Sequence, residues 1–446
     1  MEKITLKTSM CTFTGIRHEN AYEFLAVPYG RAGRFEYCEL INSYGETFDA
    51  TKMGYACPQY RQYYPNLENP ERLFYHREFR DGSEFSYDED CLNLNIYTPV
   101  NASNCPVIVF FHGGGFNSGA NSEEPFKGYK LAERGIITVF ANYRVGVLGY
   151  FCHEKIRKLY KRNGNFGLDD QLQAIRWVNE HIEEFGGDKN NITLMGQSAG
   201  AISIQYLCLN HDNEGLFNKA VMMSGGGMFP KFALPKKTEE TYDYWLQLMD
   251  LAGCREFEEF KKADIRAIHD AYEEIKKKRK DNVYNMMPVV DGYLLKDSVD
   301  KLINDPLKID YMLGYTSNDM YAPIMAHIGN SYARANGAYV YYFDIDQPGD
   351  DNGAFHSSDL RYMLGTLEGS WRPFRDRDRE VSLQMMDYLA NFVKKGDPNG
   401  PGLPAWNRTD RNAHRVLCLN IRETKMGHPS YFKLVKNMLV KGEPKA

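Results

Sequence analysis

A serine, a histidine and a carboxylate, set among glycines, are the residues with the most chemistry to offer in this chain. Gly196-Gln197-Ser198-Ala199-Gly200 follows an apolar run ending at Met195 and precedes Ala201 to Leu207, which has a helical pattern. A strand turning sharply into a helix holds a serine in strained backbone with its hydroxyl clear of the sheet. The helix N-terminus behind it favours developing negative charge. Side chains two residues to either side would collide, which explains the flanking glycines. The chemistry this suits is nucleophilic attack by Ser198 on an acyl carbon.

A second glycine cluster, His112-Gly113-Gly114-Gly115-Phe116, directly follows the apolar run ending at Phe111. Three glycines let backbone come close to a reacting group and turn N–H groups toward it. Gly114 and Gly115 should supply two oxyanion-hole donors, and Ala199 the third. Phosphate binding is disfavoured: there is no P-loop lysine, and the glycines miss the dinucleotide spacing. His112 is read as a loop-packing residue with no proton-transfer role.

The general base must be one of 11 histidines. In hydrolases built on such an elbow the order is serine, acid, histidine. That leaves His211, His269, His327, His356, His414 and His428. His356 lies in Gly353-Ala354-Phe355-His356-Ser357-Ser358-Asp359, a loop after the strand Tyr339 to Phe343, where a catalytic loop belongs. His269 is read as lying in a helix and facing charges. For the acid, Asp319 ends Gly314-Tyr315-Thr316-Ser317-Asn318-Asp319, just beyond a strand, where a carboxylate can hold an imidazole in the right tautomer. Asp344, Asp346, Asp350 and Asp351 are rivals on order alone. No His-Glu-x-x-His spacing suggests a metal.

These residues need a scaffold. Short apolar runs at Cys105 to Phe111, Ile136 to Ala141, Ile192 to Met195, Ala220 to Met223, Tyr311 to Leu313, Tyr339 to Phe343 and Arg415 to Leu419 read as central strands covered on both faces. Between them Gly167 to Phe185 carries Leu168, Leu172, Ile175, Val178 and Ile182 at helical spacing. Glu239 to Asn282 reads as helical and charge-rich. The alternation predicts an α/β fold with a mostly parallel sheet and helices on both faces. The stretch before residue 100 reads as a small antiparallel portion. With no linker or repeat, residues 1–446 form one expected domain.

Composition bounds the function. The 446 residues are 43% hydrophobic and 25% charged, ordinary for a globular enzyme, with a net charge of −5 that argues against nucleic acid or an anionic membrane as partner. There is no apolar run long enough for a signal peptide or a membrane span. The nine scattered cysteines suit a reducing compartment, so a cytoplasmic location is expected. A monomer or weak homo-oligomer needing no cofactor completes the expectation.

Several further strings widen the pattern: Glu89 to Ile96, Asn142 to Gly149, Gly164 to Gln171, Phe185 to Asp188, Pro288 to Gly292 and Gly396 to Gly400. With the two glycine motifs, they resemble the type-B carboxylesterase family, which includes the cholinesterases, within the α/β-hydrolase fold. The resemblance runs from about Phe24 to Trp406. It implies Ser198, Asp319 and His356 as triad and Gly114, Gly115 and Ala199 as oxyanion hole, preferring Asp319 to its rivals. It also implies ion pairs Arg34–Glu89 and Arg144–Asp170. Cys57 and Cys91 match a pair that is disulfide-bonded in secreted relatives; in a cytoplasm they should be reduced.

Four departures stand out. Gln197 replaces a usual glutamate, Asp319 a usual glutamate, and Asn93 an aromatic or threonine. Only 37 positions separate Asp319 from His356, short for the family, which predicts a more open entrance. The expected activity is hydrolysis of small-molecule carboxylic esters through an acyl-serine. The alternatives are an amidase or thioesterase on the same triad, and a non-catalytic cholinesterase-like interaction protein.

Overall fold

The run Cys105–Phe111 (β8) is apolar throughout because the sheet it enters is covered twice. Ile108 and Phe110 point into one core, and Val107, Val109 and Phe111 into the other. The same division holds along Gly187–Gln197 (β10), where Leu194 and Met195 fall on opposite faces. The computed structural model describes residues 2–226, 234–281, 285–319, 337–409 and 415–430.

The sheet begins with Glu2–Lys7 (β1), Thr12–Arg17 (β2) and Ala21–Pro28 (β3). Gly30–Arg31 (β4) and Glu39–Leu40 (β5) form a separate two-stranded ribbon, and Thr47–Asp49 (β6) pairs with β2. Asn93–Pro99 (β7), β8, Ile137–Ala141 (β9), β10, Lys219–Met223 (β11), Asp310–Thr316 (β12), Ala338–Asp344 (β13), Val416–Asn420 (β14) and Thr424–Gly427 (β15) complete it. Its order is β1-β2-β3-β7-β9-β8-β10-β11-β12-β13-β14-β15. From β9 to β14 every pairing is parallel. The chain β1-β2-β3-β7-β9 is antiparallel. This is the α/β architecture expected from the alternation, including its antiparallel N-terminal portion.

Helices cover both faces. Phe166–His181 and Ala199–Cys208 lie on one, burying Leu172, Ile175, Val178, Ile204 and Leu207; Asp376–Lys395 lies on the other, burying Val381, Met385, Leu389 and Phe392. The first ends its α-helical path at His181 and continues as a 3₁₀ turn, Ile182–Phe185, closed by Gly186 at φ 86°.

One element differs from the sequence reading. Glu239 to Asn282 is not continuous: it divides into Tyr242–Leu251, Phe257–Lys262 and Ile265–Lys278. Gly253, at φ 74°, breaks the first junction, and Asp264, which caps Arg266 and Ala267 N–H, starts the third helix. Charge periodicity cannot report such caps.

Two ion pairs tie these layers together. Arg144 holds Asp170 through Nε at 2.8 Å and Nη2 at 2.7 Å, with both side chains buried. Arg34 meets Glu89 through Nε at 3.0 and 3.1 Å and through Nη2. Both pairs are those the resemblance implied. Asn93 joins a buried ladder: Asn121 Nδ2 donates to its Oδ1 at 3.0 Å, and its own Nδ2 donates to Tyr55 O at 3.0 Å. That gives the unusual asparagine a structural use between β7 and the neighbouring loops. Cys57 and Cys91 are free, buried thiols; the hydrogen bond with Cys57, and then burial, raise the Cys91 thiol well above its ordinary pKa. Among the described residues no helix is long and apolar enough to cross a membrane.

Candidate active site

The parallel strands deliver their C-terminal ends to one edge, and every expected site residue lies there. β10 ends at Gln197, Ser198 takes φ 54° and ψ −122°, and the helix Ala199–Cys208 begins at once. Backbone in this region costs on the order of 1–3 kcal/mol and persists only where its surroundings hold it. Ser198 N–H donates to Met223 O of β11 at 2.8 Å, and Ser198 O accepts from Ile202 N–H at 3.0 Å. The flanking glycines are required by contact. A Cβ on Gly196 would sit 2.7 Å from the Gly200 carbonyl carbon, and one on Gly200 would run into Phe111 O of β8. A Cβ on Gly225 would run into Ser198 O.

The loop after β8 packs against this elbow. A Cβ on Gly113 would lie 3.0 Å from Ser198 Cβ and 2.7 Å from Gln197 Oε1. Gly114 and Gly115 adopt φ 117° and 61°, conformations that suit glycine, and a side chain on Gly114 would collide with Ser118 O. Ala199 is the first residue of its helix, so its N–H has no partner within that helix. Among the expected donors, Gly115 has nothing within 4 Å of where a Cβ would be, an open side.

His112 is buried behind the loop, stacked on Tyr143 with ring centroids 4.4 Å apart. Its Nδ1 donates to Gly113 O at 2.9 Å, and Tyr143 Oη donates to His112 O at 2.7 Å. Burial lowers its pKa to about 4, so the ring is neutral at ordinary pH. This geometry agrees with a packing residue.

β12 and β13 bring the other pair together. They run parallel with Thr316 beside Phe343, and Asn318 then bridges to Phe355, its N–H donating to Ala354 O at 2.9 Å. This zips the segment carrying Asp319 to the loop carrying His356. His356 Nδ1 lies 2.6 Å from Asp319 Oδ2; Asp319 is buried and His356 about one-fifth exposed. An ionised carboxylate only accepts, so Nδ1 carries the proton and Nε2 keeps its lone pair. Gln197 Nε2 stands 3.2 Å from that Nε2. The residue beside the expected nucleophile therefore touches the expected base.

One of the rival carboxylates is engaged elsewhere. Asp350 pairs with Arg372 at 2.7 Å, and His356 Nδ1 is met by Asp319. His269 lies in the helix Ile265–Lys278 within the field of Asp270, Arg266 and Arg34, but it is only 2% exposed, against the Tyr63 ring, and burial lowers its pKa to about 4. His327 and His414 lie outside the described residues. So does the segment 320–336, and with it the expected openness of the entrance.

Sequence reasoning missed three neighbours. Gln197 stands out in the sequence as a substitution, with nothing to mark it as a partner of His356. Asp359 is fully buried, accepts from Tyr341 Oη at 2.7 Å, and is raised by burial to a pKa of about 6. Its position three residues after His356 was the available signal. Arg372, whose side chain is fully buried, holds Glu78 and Asp350, with its guanidinium 5.0 Å from the Phe355 ring centre. A lone arginine distant in sequence gave no signal. Among the described residues no group of histidine, cysteine, aspartate or glutamate could hold a metal ion.

Comparison with known proteins places these motifs in a wider setting. The family model described as the carboxylesterase family matches residues 2–332 and 319–434. Carboxylesterase 5A of Felis catus is 30% identical over 71% of this chain and 72% of its own length. The para-nitrobenzyl esterase of Bacillus subtilis (strain 168) is 26% identical over 96% of this chain and 97% of its own. A solved PNB esterase superposes with a TM-score of 0.83 at 23% identity, over 97% of this chain and 99% of that one, which shows a shared fold.

Proposed function

The chain belongs to the carboxylesterase family and is a carboxylic ester hydrolase of α/β-hydrolase fold, and we propose that it works through an acyl-enzyme on Ser198. His356 is the general base, Asp319 its orienting acid, and the N–H groups of Gly114, Gly115 and Ala199 form the oxyanion hole. The observation that carries this reading is the 2.6 Å contact from Asp319 Oδ2 to His356 Nδ1 at the edge where the Ser198 elbow emerges.

The steps follow from where the protons sit. With Nδ1–H directed at Asp319, Nε2 of His356, which Gln197 Nε2 meets at 3.2 Å, is the nitrogen that takes the Ser198 proton as Oγ attacks the ester carbon. The carbonyl oxygen becomes an oxyanion, to which each donor is typically worth about 3 kcal/mol. His356 then gives its proton to the departing alcohol, leaving the acyl group on Ser198. Water, activated by the same nitrogen, attacks the acyl carbon and releases the acid. Asp319 stabilises the imidazolium in both halves. We read the chain as one hydrolase unit acting on small-molecule esters.

Replacing Ser198 with alanine tests this. Hydrolysis of short p-nitrophenyl esters should disappear while thermal unfolding stays within a few degrees of the parent. Full turnover in the variant would overturn the proposal. Comparing kcat/KM on matched ester, thioester and anilide substrates separates esterase from thioesterase or amidase chemistry.

A further inference from the structure

The donors proposed for the oxyanion are backbone N–H groups, so their aim is set by peptide planes. Carbonyl and N–H of one trans peptide unit point in opposite directions. Whatever fixes the carbonyl of Gly114 therefore fixes the N–H of Gly115, and the carbonyl of Gly113 fixes the N–H of Gly114.

Both carbonyls are held from behind. Gly114 O accepts from Asn117 N–H at 3.1 Å, Ser118 N–H at 3.1 Å and Ser118 Oγ at 3.2 Å. Gly113 O accepts from His112 Nδ1. Ser118, and Gly119 next to it, are in turn gripped from outside the loop by Arg61 and Gln59. Arg61 Nη2 donates to Ser118 Oγ at 2.8 Å, and Arg61 is fixed by Glu123 at 3.2 Å. Gln59, fully buried, closes on Gly119: its Nε2 donates to Gly119 O at 3.1 Å, and its Oε1 accepts Gly119 N–H at 3.0 Å. Gly119 in turn lies so close to the loop's start that a Cβ there would overlap His112 Nδ1 and come within 2.5 Å of Gly113 O.

We propose that Gln59 and Arg61 are positioning residues of the oxyanion hole, aiming the Gly114 and Gly115 N–H groups through Gly119 and Ser118. This rests on the acyl-enzyme reading above. Neither side chain touches substrate. Arg61 acts on the Gly115 N–H along the path Ser118 Oγ to Gly114 O. Gln59 acts on the Gly114 N–H by pinning Gly119 against His112 and Gly113. A loop with positive φ at Gly114, Gly115, Phe116 and Gly119 has little regular structure to hold it, so an external brace carries that task.

The test is a series of Gln59→Leu, Arg61→Met and Ser118→Ala, each normalised to active sites by phosphonate titration. The expected result is a kcat about 10-fold or more below the parent, a fraction of what losing a donor outright costs, with KM changed less than about threefold. Affinity for a trifluoromethyl ketone, which forms a hemiketal oxyanion on the serine, should fall in step with kcat across the series. A purely structural brace would lower stability or the titrated fraction and leave kcat per site unchanged. Unchanged kcat per site in folded Gln59→Leu and Ser118→Ala overturns the proposal. Ser118→Ala removes one hydroxyl, so it decides the question if the larger changes fail to fold. Retention of hydrolysis by Ser198→Ala would instead show that the acyl-enzyme reading had failed.

Discussion

The two halves of the proposed site are built from different materials. The Ser198 half is backbone: a strained elbow, glycines in close contact, and N–H donors whose neighbours leave no room for a Cβ at Gly196, Gly200, Gly113 or Gly114. The His356 half is side chain: a carboxylate on an imidazole, and a loop anchored by the buried guanidinium of Arg372. Backbone geometry and fold cannot be separated, whereas a side-chain pair can lose its chemistry and leave the fold standing. The halves should therefore fail differently.

The largest difference is expected between Gly200→Ala and Asp319→Asn. The first forces a Cβ into Phe111 O, and should abolish soluble expression or lower Tm by about 10 °C or more. The second should fold normally and lose roughly 10³- to 10⁴-fold in kcat, because the imidazole tautomer is no longer held. Expression, Tm and kcat measured together check both. A folded, active Gly200→Ala protein would erase the contrast.

Arg372→Met probes whether the side-chain half has its own anchor. It leaves Glu78 buried without its partner, a loss of roughly 3–5 kcal/mol. Urea unfolding should show this, with partial recovery in Arg372→Met/Glu78→Leu, where the buried Glu78 charge is gone and only the partly exposed Asp350 lacks its cation.

The contrast between halves also explains what could be read from sequence. The backbone half was legible because glycine spacing records it directly: Gly196, Gly200 and the Gly113 to Gly115 cluster stand beside the residues they serve. The central strands were legible because burial on both faces makes them apolar throughout. Asp319 and His356 needed chain order and family resemblance, since nothing local marks a carboxylate for an imidazole 37 positions away. The contacts of Arg372 with Glu78, 294 positions apart, and of Gln59 with Gly119, 60 apart, left no pattern at all. The helical reading of Glu239 to Asn282 missed its breaks for a local reason, since Gly253 and the cap at Asp264 interrupt a charge pattern that continues across them.

His269 offers a smaller effect away from both halves. Its pKa is about 4 in the folded protein, below the ordinary value of 6.5, because burial opposes the charge. Between those values the unfolded chain binds a proton that the folded one refuses. Its contribution is thus intact above about pH 6.5 and is lost as pH falls toward 4. His269→Phe should reduce the stability lost between pH 7 and pH 4.5 by about 2 kcal/mol, read from urea midpoints at the two values.

The smallest expected effect joins the two halves. Gln197 belongs to the elbow and touches His356 Nε2. Gln197→Glu places a negative charge beside the imidazole and favours its protonated form. The acidic limb of the kcat/KM profile should move up by about one pH unit, with the plateau retained. An unmoved limb would mean that the contact does not persist in the working enzyme.

The central claim, that Ser198 is the residue acylated, is tested most directly by reacting the full chain with a fluorophosphonate ester and measuring intact mass and peptide map. One adduct per chain, mapped to Ser198 and rising in step with loss of esterase activity, is the predicted result. Activity that survives complete modification of Ser198, or inactivation with the adduct on another residue, would contradict it.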